Sequence, residues 1–334
     1  MATTAQDLLP DQYFQKLCPP VPEPGFHDPG ELERVWGAQW GSHDEVGRLR
    51  DVLMRRPGSE FAQIREDAWN EAAGALVDPN GGWYWESRVG PDLELIAAQH
   101  AGLVAALEGE GVTVHYADGL AERFTKAVYT RDPLISLPGG MLIGRMAPAM
   151  RRGEEPSVTR AVAAAGAPIL GTIIGSGMME GGSFVKLTPK IAAFGTSIRC
   201  NAEAAEQLAG VLSRIGIELI VVPIGGFSIH IDGHLGMVDV DKAVVDAPGL
   251  PHWFLDTLAE LGIEPIWCAP GEHWAINCLA LAPGRVIMCD DCPRTAEALS
   301  RRGVEVIPVP YFELHKNGGG VHCSTMELRR DPAA

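Results

Sequence analysis

The chain of 334 residues is long for a single hydrophobic core, and it has room for two domains or one large repetitive domain. Its formal net charge of -16 argues against nucleic acid or an anionic membrane as a partner, whereas small cations are attracted to an acidic protein. The sequence shows neither a signal peptide nor a run of about 18 apolar residues, so we expect a cytoplasmic protein with no membrane-spanning helix.

Residues 1–45 are predicted to form an irregular N-terminal arm, because several prolines between positions 19 and 29 interrupt regular structure. Residues 46–330 are predicted to form a single domain. Its first strand is expected in the segment VGRLRDVLMRRPG, which begins at residue 46.

After this strand one pattern occurs five times: an amphipathic helical stretch ends at a glycine, and a short β-branched strand follows at once. The glycines are Gly111, Gly166, Gly216, Gly262 and Gly303. Each can supply the left-handed conformation that ends a helix. A recurrence every roughly 40 to 55 residues is typical of propeller-like or solenoid folds. The pattern favours an α/β ring of strand–helix–strand modules, with an open α/β sheet as the alternative.

The cysteines show no disulfide framework, which fits a reducing compartment. Cys289 and Cys292 form a CxxC pair, but no second pair follows at the spacing of a zinc site, so we expect no metal there. Cys323 follows the glycines Gly318–Gly320, which let the backbone approach a ligand closely. This arrangement favours a nucleophilic thiol, and the alternative is a buried structural cysteine.

In a ring, the loops at the strand ends meet at one axial cavity, and polar clusters of this sequence fall in such loops. A cysteine that attacks a planar cationic carbon needs carboxylates to hold the cation and a histidine to move protons. Asp132 and Asp232 are candidates for the first task and His230 for the second, with Glu180 as the acid that orients the histidine. Taken singly, each of these residues also fits an ordinary structural role in a turn or loop.

Together these residues resemble the guanidine-modifying (pentein) superfamily, which comprises arginine deiminases, dimethylarginine dimethylaminohydrolases and amidinotransferases. The similar segments are TRDP at 130–133, EGG at 180–182, SIRCNAEAAEQL at 197–208, HID at 230–232 and GGGVHCST at 318–325. The resemblance implies a five-bladed, pseudo-fivefold α/β-propeller with an axial active site. It also implies that no cofactor and no metal take part.

The resemblance further implies roles for individual residues. Cys323 would attack the guanidine carbon, His230 would act as acid and then base, and Glu180 would orient His230. Two further sets would bind substrate. Asp132 and Asp232 would hold the guanidinium, and Arg199 would hold a carboxylate, with Arg145 as the second candidate for that task. Without the resemblance, the sequence favours a surface ion pair for Arg199, with a bidentate clamp on a carboxylate as the alternative in a polar cavity.

The activity implied is that of a cysteine-dependent hydrolase of the guanidine C–N bond of arginine or a substituted arginine, through a covalent thiouronium on Cys323. The alternatives are an amidinotransferase that passes the amidino group to an acceptor amine, and a non-catalytic propeller that binds a guanidino ligand. Two departures from the family pattern are Ser183, where relatives carry aspartate, and His234, which we expect to pair with an acid such as Asp239. The expected partner is a small cationic guanidino substrate, and a homodimer is the default assembly.

Overall fold

The structure, a computed structural model, describes residues 16–17, 24–120, 122–226 and 228–333. Within these ranges no helix has the length and apolar character needed to cross a membrane. The helices are α1 (Pro29–Trp36), α2 (Leu93–Gly109), α3 (Glu155–Ala165), α4 (Ala202–Arg214), α5 (His252–Glu260), α6 (Pro293–Ser300) and α7 (Phe312–His315).

The strands are short and lie between these helices. In chain order they are β1 (Leu49–Met54), β2 (Trp69–Asn70), β3 (Ala75–Val77), β4 (Tyr84–Trp85), β5 (Thr113–Tyr116), β6 (Leu134–Leu137), β7 (Gly140–Ile143), β8 (Ile169–Thr172), β9 (Phe184–Thr188), β10 (Ile191–Thr196), β11 (Glu218–Pro223), β12 (Leu235–Asp239), β13 (Lys242–Val245), β14 (Glu264–Trp267), β15 (Leu279–Ala282), β16 (Arg285–Cys289), β17 (Glu305–Val309) and β18 (Met326–Arg330).

Most strands belong to three-stranded sheets that repeat one topology, and the fold is therefore mixed α/β. A middle strand pairs antiparallel with one neighbour, here called the lead strand, and parallel with the other, to which a helix connects it. The five modules, written as lead, middle, helix and parallel strand, are β18-β1-α2-β5, β6-β7-α3-β8, β9-β10-α4-β11, β12-β13-α5-β14 and β15-β16-α6-β17.

The first module joins the two ends of the described chain. Its lead strand, β18, comes from the C-terminal segment and pairs antiparallel with β1, from Leu49 with Arg330 to Leu53 with Met326. Because Cys323 stands just before β18, this long-range pairing fixes the segment that carries the predicted nucleophile.

The predicted helix ends are confirmed. All five glycines named from the sequence have positive φ, between 73° and 91°. An L side chain is disfavoured in that backbone region, which is why glycine recurs there. The sequence predicts one strand in the segment NCLALAPGRVIMC at 277–289, but a turn at Pro283–Gly284 divides it into β15 and β16.

The sequence predicts an irregular N-terminal arm, but this is wrong for residues 29–36, which form helix α1. Pro29 is tolerated in the first turn because its missing N–H would have no partner inside the helix. The side chain of Asp28 accepts a hydrogen bond from the Glu31 N–H and so caps the helix. The rest of the expectation for residues 1–23 falls mostly outside the described residues. The small sheet β2-β3-β4, inserted in the first module, was also not foreseen.

A group of buried charges joins the lead strands beneath the site. Glu327 of β18 pairs with Arg131 at 2.6 Å and with Lys186 of β9 at 3.3 Å, and Lys186 also pairs with Glu45 at 2.9 Å. Burial alone would raise the pKa of Glu327, but Arg131 and Lys186 hold it well below its usual range. Buried ion pairs thus link three lead strands: β18, β9 and, through Arg131 in the segment before it, β6.

Replacing Glu327 with glutamine is expected to destabilise the fold by about 3–5 kcal/mol, because the buried Arg131 would lose its ion-pair partner and the buried Lys186 would keep only Glu45. Urea unfolding of the two proteins at pH 7 measures the difference. The matched control is Glu264→Gln, because the ion pair between Glu264 and Arg302 is solvent-exposed. This substitution is expected to lower the free energy of unfolding by less than about 1 kcal/mol. Equal losses in the two variants would contradict the role given to the buried group.

Candidate active site

The candidate site residues occupy equivalent places in successive modules, because each precedes a lead strand. Asp132 stands before β6, Glu180 before β9, His230 and Asp232 before β12, and Cys323 before β18. Side chains from distant parts of the sequence therefore meet in one cavity. Its walls include Asp132, His230, Cys323 and Arg199, and they enclose about 370 Å³ of space, open solvent at the mouth included.

Cys323 lies at the floor of this cavity and is 9% exposed. Its Sγ accepts a hydrogen bond from Asn277 Nδ2 at 3.1 Å, and its backbone N–H donates to Asn277 Oδ1 at 3.1 Å. Burial raises the pKa of the Cys323 thiol well above its usual range, and the nearby carboxylates of Asp232 and Asp132 add to that effect. A cation placed between this sulfur and those carboxylates would favour the thiolate.

His230 lies between two carboxylates. Its Nε2 donates to Glu180 Oε2 at 2.8 Å, and its Nδ1 lies 3.5 Å from Asp132 Oδ1. Burial alone would lower the pKa of His230, but Asp132 and Glu180 raise it to about 9. The ring is thus an imidazolium at neutral pH, with its Nδ1 proton available to the cavity.

The EGG segment permits this close packing. A Cβ on Gly182 would stand 2.7 Å from His230 Nδ1 and 2.9 Å from Asp132 Oδ1, closer than side-chain atoms tolerate. The backbone N–H of Gly182 also donates to Asp132 Oδ1 at 3.3 Å. The glycine therefore lets the carboxylate and the imidazole meet.

Each of the two aspartates already contacts a basic side chain. Asp132 Oδ2 is bound by the guanidinium of Arg151, which also donates to both carboxylate oxygens of Glu154. Asp232 Oδ2 lies 2.9 Å from His322 Nδ1 and 4.0 Å from the sulfur of Cys323. Asp232 therefore stands directly beside the thiol, and Asp132 on the side of His230.

The two predicted arginines lie in different environments. Arg199 lines the cavity and donates to Glu180 Oε2 at 2.9 Å. Arg145 is exposed, donates to the carbonyl of Gly175, and is not among the residues that line this cavity.

Three polar residues of the site were missed from the sequence: Asn277, Arg151 and Lys126. Asn277 was detectable in principle, because it precedes the lead strand β15 as the predicted residues precede theirs. Arg151 and Lys126 give no such signal. Both are buried in the cavity wall, where Lys126 donates to Asn317 Oδ1 at 2.8 Å, and burial lowers the pKa of Lys126 well below its usual range.

His234 pairs with an acid, as the sequence predicts, but the acid is Asp246 and not Asp239. Its ring lies between Asp246 Oδ2 at 2.9 Å and Ser228 Oγ at 2.6 Å, because the turn after β13 brings Asp246 closer. Ser183 is buried, and its hydroxyl donates to the carbonyl of Ile229 at 3.5 Å.

Asp132, Glu180 and His230 present ligand atoms that all lie within 4.8 Å of one another, a set that a divalent metal ion accepts. The guanidinium groups of Arg151 and Arg199 already bind these two carboxylates. A metal ion would have to displace both cations, so the set is better suited to proton transfer than to metal binding.

A family model described as arginine deiminase matches residues 120–250 and 258–330, which contain every residue of the proposed site. The chain belongs to the arginine deiminase family. The resemblance to the guanidine-modifying pentein superfamily, inferred from the motifs, is confirmed.

Similar proteins carry three different enzyme names. Arginine deiminase of Latilactobacillus sakei subsp. sakei is 29% identical over 61% of this chain and 61% of its own length. The 2-nitroimidazole nitrohydrolase of a Mycobacterium species is 26% identical over 90% of this chain and 85% of its own. The N(G),N(G)-dimethylarginine dimethylaminohydrolase of Pseudomonas aeruginosa is 27% identical over 71% of this chain and 90% of its own length. The chain thus spans about three fifths of the arginine deiminase, and all three names denote hydrolases of C–N bonds.

Solved structures agree on the fold. The dimethylarginine dimethylaminohydrolase of Pseudomonas aeruginosa, in complex with citrulline, superposes with a TM-score of 0.68 over 84% of this chain and 100% of that one, at 24% identity. The pentein fold is therefore shared, although fewer than one residue in four is identical.

The charged state of His230 predicts how stability depends on pH. Its pKa is about 9 in the folded protein against 6.5 for the free side chain, so its stabilisation is complete below pH 6.5 and is lost as the pH rises through 9. Relative to His230→Gln, the wild-type free energy of unfolding is expected to fall on the order of 3 kcal/mol over this range. Urea unfolding between pH 6 and 9.5 measures it. The control, His252→Gln at an exposed site, is expected to keep the wild-type slope.

Proposed function

We propose that this chain hydrolyses the guanidine C–N bond of arginine or a substituted arginine through a covalent adduct on Cys323, with residues 46–330 forming a five-bladed propeller as the catalytic domain. One observation carries the proposal: His230 and Asp132, of the hydrogen-bonded row Glu180–His230–Asp132, line the same cavity as Cys323, and Asp232 lies 4.0 Å from the Cys323 sulfur. The hydrolase names of the relatives support the reaction class.

In the first half-reaction a substrate guanidinium binds between Asp132 and Asp232, and its positive charge favours the Cys323 thiolate. The sulfur attacks the guanidine carbon and forms a tetrahedral centre, while the Asn277 amide donates to the sulfur. His230, held at Nε2 by Glu180, gives its Nδ1 proton to the leaving nitrogen. The C–N bond breaks, and an amine or ammonia departs.

In the second half-reaction His230 is neutral and takes a proton from water. The hydroxide attacks the thiouronium carbon, the C–S bond breaks, and the product is a ureido compound. An acceptor amine in place of water would make the enzyme an amidinotransferase. The two functions share the first half-reaction and differ only in the second nucleophile.

The deciding experiment is incubation with L-arginine, dimethylarginine, agmatine and 2-nitroimidazole, with and without glycine or ornithine, followed by mass spectrometry of products and protein. We expect a ureido product without acceptor and an adduct on Cys323. Cys323→Ser is expected to lower turnover at least about 1,000-fold, because it removes the nucleophile. A new guanidine formed only with an acceptor would establish amidino transfer, and wild-type rates in Cys323→Ser would refute the site.

We propose that Arg199 binds the substrate carboxylate. Arg199→Ala is expected to raise the KM for L-arginine at least about tenfold relative to agmatine, which lacks that group. Because Arg199 also contacts Glu180, the ratio of the two substrates is the meaningful measurement. Arg145→Ala serves as the matched control and is expected to leave the ratio unchanged. An altered ratio in Arg145→Ala alone would exchange the two assignments.

A further inference from the structure

The cysteines of the CxxC motif, Cys289 and Cys292, lie outside the cavity around Cys323 and have no part in the mechanism above. Cys289 ends strand β16, and Cys292 is the N-cap residue of helix α6. Their sulfur atoms are only 3.4 Å apart, and both side chains are 2% exposed. The intervening Asp290 and Asp291 are exposed, so the two thiols lie directly beneath a surface turn.

The two thiols lie in different surroundings. The hydrogen bond with Cys292 and burial raise the pKa of Cys289, and either sulfur can be the donor of that bond. Cys292 also approaches the Glu272 carbonyl oxygen at 3.6 Å and Asp291 Oδ1 at 3.5 Å, and it stands at the N-terminus of an eight-residue helix directly beneath the surface turn. We therefore assign the first attack to Cys292 and the second to Cys289.

Glu272 connects this pair to the active site. The sulfur atoms of Cys268 and Cys292 approach its carbonyl oxygen, at 3.1 and 3.6 Å. The carboxylate of Glu272 accepts from Thr295 N and Oγ, both at 2.8 Å, and so fastens the first turn of α6.

The same carbonyl begins the turn that ends at Asn277. Ala275 N donates to Glu272 O at 2.9 Å, and Asn277 N donates to Trp274 O at 3.1 Å. Asn277 in turn holds both the sulfur and the backbone N–H of Cys323. A displacement at Cys292 therefore reaches the nucleophile through one short, hydrogen-bonded segment.

We propose that Cys289 and Cys292 form a reversible disulfide, a modification site whose oxidation lowers the reactivity of Cys323. The oxidant is a small-molecule disulfide. The Cys292 thiolate attacks one of its sulfurs, forms a mixed disulfide and releases a thiolate. Cys289 then loses its proton and attacks the Cys292 sulfur, which closes the protein disulfide and releases the second thiol. Two protein thiols are oxidised, and the small disulfide is reduced to two thiols.

Closing the bond shortens the distance between the sulfurs from 3.4 Å to about 2.05 Å. This movement draws Cys292 toward β16 and alters its contact with the Glu272 carbonyl. Displacements on the order of 1 Å at a reacting group lower rates by as much as about 100-fold. We expect the Asn277 contact to weaken and the reaction of Cys323 to slow at least about threefold.

Metal binding is the alternative to a disulfide at this cysteine pair. Three ligand atoms, from Cys289, Cys292 and Asp291, lie within 4.8 Å of one another. A structural zinc site takes four protein ligands. Among the residues that the structure describes, no further His, Cys, Asp or Glu joins this group within the same distance. The short distance between the sulfurs and the missing fourth ligand favour the disulfide.

The test equilibrates the full-length protein in mixtures of oxidised and reduced dithiothreitol, with thiols then trapped and mapped by mass spectrometry. The tryptic peptide that contains both cysteines is expected to lose two hydrogen atoms in the oxidising mixture. The rate of Cys323 alkylation by iodoacetamide is expected to fall at least about threefold and to recover on reduction. This readout needs no substrate, so it stands apart from the proposed hydrolysis.

Three variants complete the test. Cys289→Ala and Cys292→Ala are each expected to lose the response to oxidation, and Cys289→Ala, which leaves the contact between Cys292 and the Glu272 carbonyl in place, is expected to keep the reduced-state alkylation rate. Cys268→Ser, a neighbouring thiol outside the pair, is expected to respond as the wild type does. The proposal is overturned by a peptide that stays reduced, by a disulfide with no effect on Cys323, by stoichiometric zinc in the purified protein, or by loss of the response in Cys268→Ser. The wild-type measurements decide the matter even if an alanine variant does not fold.

Discussion

A carboxylate that water cannot reach, that of Glu327, underlies both the fold and the site. It stays ionised because Arg131 and Lys186 surround it, and each cation comes from a different module. Glu327 lies in the strand that follows Cys323, and Arg131 is the neighbour of Asp132. The ion pairs that stabilise the packing of the modules therefore also fix the positions of Cys323, the proposed nucleophile, and of Asp132, a proposed substrate-binding carboxylate. Such a group is costly to disrupt, because any loss leaves a buried charge unpaired.

The electrostatics of the site set opposite conditions for its two reactive groups. Asp132 and Asp232 raise the pKa of both His230 and Cys323, so they favour the imidazolium and disfavour the thiolate. In the free protein His230 is therefore protonated, as the proposed general acid must be, whereas Cys323 is a neutral thiol. In the proposed reaction a bound guanidinium would favour the Cys323 thiolate, because its charge would offset that of the carboxylates. Binding and activation would then be one event, and the thiol would react more slowly with other electrophiles than with a bound guanidinium.

Local features of the sequence predict the repeated modules and the main side chains of the candidate site. Each helix end depends on a glycine whose conformation is decided within a few residues, and the residues before each lead strand form short motifs of distinctive composition. The failures are of another kind. The sequence does not predict helix α1, because proline usually interrupts a helix, whereas Pro29 occupies the first turn, where it is tolerated. It suggests Asp239 as the partner of His234, whereas the fold brings Asp246 nearer.

The sequence alone determined that this chain is built from repeated α/β units and that Cys323, His230, Glu180 and two aspartates are its chemical candidates. Only the tertiary structure decided which groups complete them. Asn277 reaches Cys323 across 46 residues, Asp232 meets His322 across 90, and β1 pairs with β18 from the far end of the chain. Propensity and spacing are local properties of a chain, whereas these contacts exist because separate modules bury their lead strands together.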